Sequence, residues 1–183
     1  MILKVRAVSF FWGFAEATFF FLVPDIWLTR IALSDTKEAL INALIALAGA
    51  MLGGALLYSL GAAFFDELRQ LLNYVPAISD RMIDRVGVSV QEDGVFHALM
   101  SAGFTGQPFK IYAAWAGHLT LSPLSFFLAG LIARLSRFVA VILVAWGARS
   151  VVGTFVNEQQ LYGLHAGLWI AFYIFYFYLM MPW

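Results

Sequence analysis

Two stretches of the sequence contain no charged residue and are long enough to cross a membrane. Residues 39–65 and 159–183 lack Asp, Glu, Lys and Arg, and about 20 apolar residues suffice to span a hydrocarbon core. A third stretch, residues 123–148, is also long enough, and Ser122 followed by Pro123 is typical of a helix N-terminus. We therefore predict three transmembrane helices in an all-α integral membrane protein.

The composition agrees with a membrane environment and excludes several classes of function. Hydrophobic residues make up 62% of the chain and charged residues 12%, outside the range of soluble domains. The formal net charge is +0, so we expect no nucleic-acid partner, which would require a basic surface. The chain has no cysteine and no Gly-x-Ser-x-Gly, His-Glu-x-x-His or P-loop pattern. We expect no enzyme, no cofactor and, because its 3 histidines are scattered, no metal site.

The N-terminal apolar stretch is broken in the middle. In residues 8–34, Glu16 interrupts the apolar run and Pro24-Asp25 interrupts it again, so neither half is long enough to cross a membrane alone. Broken backbone at membrane depth must lie against protein or water, because its N–H and C=O groups otherwise lack hydrogen-bond partners. We predict a re-entrant helical hairpin with its tip at Pro24.

A second apolar stretch, residues 96–119, is broken in a similar way. Gly106 and Pro108 interrupt it, and Lys110 follows directly. These features predict a second re-entrant hairpin, with its tip at Gly106 and Pro108.

Between the two hairpins, residues 66–94 are rich in charge, with apolar residues at helical spacing. They predict two short amphipathic helices that lie on the membrane surface, or form a small solvated cap.

The order of these elements in a single membrane domain is compatible with an inverted repeat. Paired discontinuous segments in two halves of a chain indicate a carrier whose site lies near the bilayer midplane, although the two halves share no residue-level identity. Three transmembrane helices are few to enclose a transport pathway, which is compatible with a homodimer.

The distribution of cations predicts the orientation in the membrane. If each hairpin returns to its own side, five cations face the cytoplasm of an inner-membrane protein, together with the N-terminus: Lys4, Arg6, Arg30, Lys37 and Arg149.

Charged residues at membrane depth are costly and therefore require an explanation. Arg134 and Arg137 are three positions apart, on one helix face, where two guanidiniums can clamp a phosphate or carboxylate. The alternative is a structural ion pair with Glu16 or Asp25. Lys110 follows a helix break, where backbone N–H groups favour an anion, or else extends its ammonium to the interface.

The two acids at the first break suit proton coupling. Glu16 has no cation near it in sequence, so it is either a proton-exchanging acid or one permanently paired with an arginine. Asp25 follows the tip proline, and we expect it to cap the returning helix, with ligand or proton contact as its second role. The candidate sites are therefore substrate binding by Lys110, Arg134 and Arg137, and proton coupling by Glu16 and Asp25.

The chain resembles the DedA family, the bacterial relatives of the SNARE-associated Golgi or VTT-domain proteins, and within it the short YqaA-like branch. The resemblance covers about two-thirds of the chain. Its first hairpin has an acid followed by a proline, and many members carry a further arginine in the second hairpin, where this chain has only Lys110. The matching residues are Glu16, Phe19 through Pro24-Asp25, Gly106-Gln107-Pro108-Phe109-Lys110, Ala116-Gly117 and Arg134-x-x-Arg137-Phe138.

The resemblance implies two hairpins that face each other and a role in moving phospholipid or polyprenyl-phosphate head groups across the bilayer. With the charges described above, it leads us to expect a transporter or flippase of an anionic lipid head group, coupled to protons. The competing expectation is a membrane scaffold, an assembly or stress factor that transports nothing and whose buried charges are structural ion pairs.

Overall fold

The structure is a computed structural model that describes residues 2–180, except for the side chain of Phe104. Within that range its regular secondary structure is all helical, and it contains no strand. Residues 181–183, the end of the third predicted span, lie outside the described residues. In chain order the helices are α1 Ile2–Glu16, α2 Asp25–Ala32, α3 Thr36–Ala63, α4 Phe65–Leu72, α5 Asp80–Glu92, α6 Gly94–Thr105, α7 Phe109–His118, α8 Pro123–Val152 and α9 Glu158–Met180.

Three of these helices are long and apolar enough to cross a membrane: α3, α8 and α9. The prediction of an all-α membrane protein with three such helices is therefore confirmed. The helix α3 begins at Thr36, before the charge-free stretch that starts at residue 39. There the side chain of Asp35 accepts a hydrogen bond from the Glu38 backbone N–H at 3.0 Å, so an N-cap fixes the boundary.

The first half of α3 packs along α1 through small residues. Their contacts follow the same order along both helices, so α1 and α3 run parallel. The approach is close, because a Cβ at Gly13 or Gly49 would overlap a backbone carbonyl oxygen of the other helix. Small residues thus form the packing face of α3. The contacting pairs are Arg6 with Glu38, Ser9 with Asn42, Gly13 with Ala46, and Phe14 with Gly53.

The second half of α3 packs along α7 in the same manner. Phe109 lies against Gly54, and Ala114, further along α7, lies against Gly61, further along α3. A Cβ at Gly61 would overlap the Ala114 carbonyl oxygen. Two half-length helices, α1 and α7, therefore line successive halves of one long helix. The breaks that end α1 and precede α7 lie near the middle of α3.

The charged segment between α3 and α6 covers α7. In α4 the buried residues are Leu68 and Leu72, and in α5 they include Ile83 and Val86. The indole N–H of Trp115 in α7 donates to the Ile83 carbonyl oxygen at 2.8 Å. The apolar faces of α4 and α5 thus pack against protein, as in the solvated-cap alternative.

Candidate functional site

The two helix breaks face each other and are joined by a lysine. The first break separates the end of α1 at Glu16 from the start of α2. The second is made by Gly106, whose φ of 70° is the left-handed conformation that glycine adopts without strain, and by the extended Pro108. Lys110, which is 1% exposed, donates from Nζ to the Phe20 carbonyl oxygen at 2.7 Å. A buried ammonium therefore satisfies backbone that the first break leaves without a helical partner.

Glu16 and Arg134 form a buried ion pair at this junction. Nη2 of Arg134 donates to Oε2 of Glu16, and both side chains are 5% exposed. The guanidinium also lies over the ring of Phe109, with its carbon 4.8 Å from the ring centroid. The alternative of a buried pair between Glu16 and an arginine, left open by the sequence, is present in the structure.

Asp25 and Arg137 form a second ion pair, which corrects the capping role expected for Asp25. Asp25 is the first residue of α2 rather than its N-cap; Pro24 occupies the cap position, and no side-chain cap bond is made there. The carboxylate instead lies 2.9 Å from Nη2 of Arg137, with side-chain exposures of 4% and 32%. A guanidinium within reach attracts the carboxylate more strongly than a backbone N–H does.

Arg134 and Arg137 thus share a helix face, as predicted, but each contacts a different carboxylate. Arg134 is buried and held by Glu16, whereas Arg137 is partly exposed. Arg137 is therefore the guanidinium with more freedom to exchange its partner for an anion.

Two charges stand at helix ends where the helix dipole disfavours them. Glu16 is the last residue of α1, and Lys110 is the second residue of α7. A helix favours anions at its N-terminus and cations at its C-terminus. Neither charge stabilises its own helix, so their positions are explained by contacts between the elements or with a ligand.

The charged residues surround two neighbouring cavities. The first, of about 290 Å³, is lined by Glu16, Asp25, Lys110 and Arg137, and we call it the charged cavity. The second, of about 350 Å³, lies between α6 and α8 and is lined by both Arg134 and Arg137. Arg137 lines both, so its guanidinium stands between the two spaces.

Several buried polar atoms around these cavities make no hydrogen bond within the described part of the chain. They are Oδ1 of Asp25, Nε of Arg134, and Nε and Nη2 of Arg137. Nη2 of Arg137 lies within ion-pair distance of Asp25 but is not aligned for a hydrogen bond. Buried donors without acceptors are costly, and an anion with several oxygens satisfies such donors. Among residues 2–180, no cluster of three or more His, Cys, Asp or Glu side chains could hold a metal ion.

The chain is similar to an uncharacterized protein of Haemophilus influenzae. The two are 26% identical over 161 residues, which cover 84% of this chain and 79% of that protein. No family model matches the chain, and no solved structure matches it. The similarity therefore assigns neither a family nor a function.

Four aromatic residues of α9 line the charged cavity, and the sequence analysis did not single them out: Trp169, Phe172, Tyr173 and Tyr176. They belong to an aromatic-rich helix whose composition is typical of a lipid-facing segment. The Tyr173 hydroxyl accepts from the Val23 backbone N–H at 2.8 Å, and the Tyr176 hydroxyl donates to the Gly106 carbonyl oxygen at 3.2 Å. Each hydroxyl therefore binds backbone at one of the two breaks. Tyr173 and Tyr176 are three positions apart and therefore lie on one face of the helix. That spacing was the feature of the sequence that could have indicated a shared site.

Proposed function

We propose that the protein is a membrane carrier, a transporter or flippase, of an anionic lipid head group such as that of a phospholipid or a polyprenyl phosphate. The observation that supports this most is the charged cavity itself. It lies where two broken helical segments meet, inside a chain with three membrane-length helices. Ionisable groups at such a depth generally mark a substrate or ion pathway.

Arg137 and Lys110 are the groups that would hold the head group. Of the five charged side chains at the junction, three are cations and two are carboxylates. The junction therefore has one cation more than it has acids. Arg137 has polar atoms without partners, and Lys110 faces a carbonyl oxygen rather than a carboxylate. A phosphate entering the cavity gains charge-assisted hydrogen bonds from both.

The two acids supply the coupling to protons in this proposal. A proton on Asp25 removes the charge that holds Arg137, and the guanidinium then turns to the head group. Loss of the proton restores the ion pair and releases the anion. Protonation of Glu16 releases Arg134 in the same way, although this pair is less mobile because both of its side chains are buried.

The two broken segments are proposed to be re-entrant hairpins that form an inverted repeat and alternate access to the cavity. In support of this, α1 runs parallel to the first half of α3, and α7 runs parallel to the second half. This arrangement is expected if the two hairpins enter the membrane from opposite faces. Membership of the DedA family, in its YqaA-like branch, belongs to the same proposal and rests on the residues of these two segments and of α8.

The proposed location is the inner membrane, with the N-terminus in the cytoplasm. Two contacts support placing the five cations on one side. Arg6 pairs with Glu38 at the start of α3, at 3.0 Å, and Arg149 near the end of α8 donates to the Ser34 carbonyl oxygen at 2.7 Å. A homodimer completes the proposal. Among the residues of α9 that the structure describes, Leu161 alone is buried, so the other helices cover α9 only slightly and a second copy could close the cavity on that side.

Translocation in proteoliposomes tests the proposal. Fluorescent phospholipid and a polyprenyl phosphate are followed with and without a pH gradient, in wild type, in Arg137→Gln and in the surface control Arg69→Gln. We expect one of the lipids to move, faster with the gradient, and Arg137→Gln to abolish the movement while Arg69→Gln does not. Transport unchanged in Arg137→Gln would refute the assigned role of Arg137.

A membrane scaffold remains the second candidate, and the burial of Glu16 and Arg134 favours it. Two opposite charges that contact each other at 5% exposure are what a structural ion pair requires. The scaffold predicts that a folded double variant lacking both charges performs the protein's task, whereas the carrier predicts that it does not.

A further inference from the structure

An apolar crevice lies beside the charged cavity, on the outside of the molecule between α8 and α9. It has a volume of about 420 Å³, within the range of small-molecule pockets. Its walls include Val144 and Ala148 of α8 and Leu164 and Leu168 of α9, and we call it the α8–α9 crevice. Val144 is 71% exposed and Leu168 is 68% exposed, so the crevice opens on the surface that a bilayer would contact.

The crevice adjoins the charged cavity. Val141 and Trp169 line both. Along α8, Arg137 is followed at helical spacing by Val141, Val144 and Ala148, so one face of the helix passes from the charged cavity into the crevice. An occupant that follows this face has a charged end at Arg137 and an apolar body beyond it.

The polar groups on the crevice wall are already satisfied by one another. The Trp169 indole N–H donates to Nε2 of His165 at 3.1 Å and to Oγ1 of Thr29 at 3.2 Å. Thr29 and His165 are themselves hydrogen-bonded at 2.8 Å. The crevice therefore offers its occupant an apolar wall, which suits a hydrocarbon chain and not a polar peptide.

We propose that the α8–α9 crevice binds one hydrocarbon chain of an amphiphile whose anionic head group occupies the charged cavity. This rests on the proposed function and adds that the substrate's tail is bound by the protein rather than left in the bilayer. The chain enters sideways between two helices, so that the head group and the first part of the tail move as one unit.

A second apolar space lies on the other side of α9, and it provides a comparison for the proposed binding site of the hydrocarbon chain. That space, between α2 and α9, is lined by Ile170 and also contains Arg30. Val141 does not line it, so it does not continue the face of α8 that leads from Arg137. Ile170 is 62% exposed, and filling the space from that position leaves the α8–α9 crevice untouched.

The test measures binding of two radiolabelled probes to the full chain in nanodiscs, with empty nanodiscs as background: inorganic phosphate and dodecyl phosphate. Val144→Trp fills the crevice, and Leu143→Trp is its matched control, because Leu143 is 51% exposed and is not among the crevice-lining residues. Ala148→Phe fills the crevice further from the cavity and serves if Val144→Trp folds poorly. Ile170→Trp and Arg137→Gln complete the set.

We expect wild type to bind dodecyl phosphate at least about tenfold more tightly than inorganic phosphate, because apolar surface is buried. Val144→Trp should raise the Kd for dodecyl phosphate by about tenfold and leave that for inorganic phosphate unchanged, while Leu143→Trp and Ile170→Trp change neither. Arg137→Gln should weaken both probes.

Three results would overturn the inference, and they can be told apart. Unchanged dodecyl phosphate binding in both Val144→Trp and Ala148→Phe, with loss in Arg137→Gln, removes the crevice and leaves the proposed function standing. A loss confined to Ile170→Trp places the chain in the other space. Binding of neither probe by wild type removes the proposed head-group site together with the crevice.

Discussion

Charged networks occur in two regions of this molecule, and their surroundings are opposite. On the surface, Arg69 of α4 contacts Asp80 at 2.8 Å and Asp84 at 2.6 Å, and these two acids are 62% and 57% exposed. At the helix breaks, Glu16 and Arg134 are each 5% exposed. The same kinds of side chain therefore pair in water in one region and away from water in the other.

This difference changes what each network contributes to the stability of the fold. Exposed ion pairs contribute about 0 to 1 kcal/mol, because water and salt screen them. Buried pairs pay a desolvation cost that often exceeds their attraction, and apolar replacements are frequently as stable. A fold therefore gains little stability by placing five charges at its centre, which favours a role for them in binding a ligand.

The largest effect is expected when one member of the fully buried pair is removed. Arg134→Gln leaves the buried Glu16 carboxylate without its ion-pair partner, and we expect the free energy of unfolding to fall by about 3 to 5 kcal/mol. Chemical unfolding of the purified protein in detergent measures this. The double variant Glu16→Gln/Arg134→Gln should recover most of the loss; a double variant as unstable as the single one would contradict the pairing.

A smaller effect on stability is expected at Lys110, with a large effect on transport. Lys110→Met removes a buried ammonium, which favours folding, and leaves the Phe20 carbonyl oxygen without its donor at a cost of about 1 to 3 kcal/mol. The net change in unfolding free energy should stay below about 2 kcal/mol. Lipid translocation should nevertheless fall at least about tenfold, as expected for a lost charged hydrogen bond. Unaltered translocation would remove Lys110 from the head-group site.

Smaller still is the change expected on the surface. Arg69→Gln should lower the free energy of unfolding by no more than about 1 kcal/mol, and 1 M salt should reduce the difference, because exposed charges are screened. Denaturation at two salt concentrations measures it. A salt-independent loss as large as that of Arg134→Gln would show that the two networks do not differ as described.

The smallest effect concerns pH and Asp80. Hydrogen bonds from the Asn73 amide and then from Arg69 lower the pKa of the Asp80 carboxyl below its usual range. A lowered folded-state pKa stabilises the protein above the unfolded value of about 3.9 and loses that contribution as the pH falls through the folded pKa. Asp80→Asn should therefore flatten the stability profile between about pH 4 and the acid limit. Thermal melting across that range measures this, and an unchanged profile would contradict it.

Sequence reasoning located the elements whose signals are local. Apolar length identified α3, α8 and α9, and the Gly106 and Pro108 pair marked the second break. The partners of the charges were not local: Glu16 and Arg134 are 118 positions apart. Hydropathy and spacing could name both residues and offer pairing as an alternative, but only the packing of both α1 and α8 against α3 brings them together.

Other residues have a chemistry that fits two environments, so the sequence does not decide their roles. Tyr173 and Tyr176 lie in an apolar helix, and tyrosines there serve equally at a lipid interface or at a cavity wall. Asp25 follows a proline at a helix start, which is typical of a cap, yet a guanidinium from α8 lies within reach. In both cases a contact between distant elements decides the role.

The most direct test of the central claim is translocation by the double variant Glu16→Gln/Arg134→Gln in proteoliposomes, alongside its thermal stability. The variant removes the two charges of the buried pair together, and the measured melting temperature shows whether instability explains a loss of activity. We predict a protein that melts close to wild type and moves neither phospholipid nor polyprenyl phosphate. Wild-type transport by this variant would mean that the buried pair serves the fold alone.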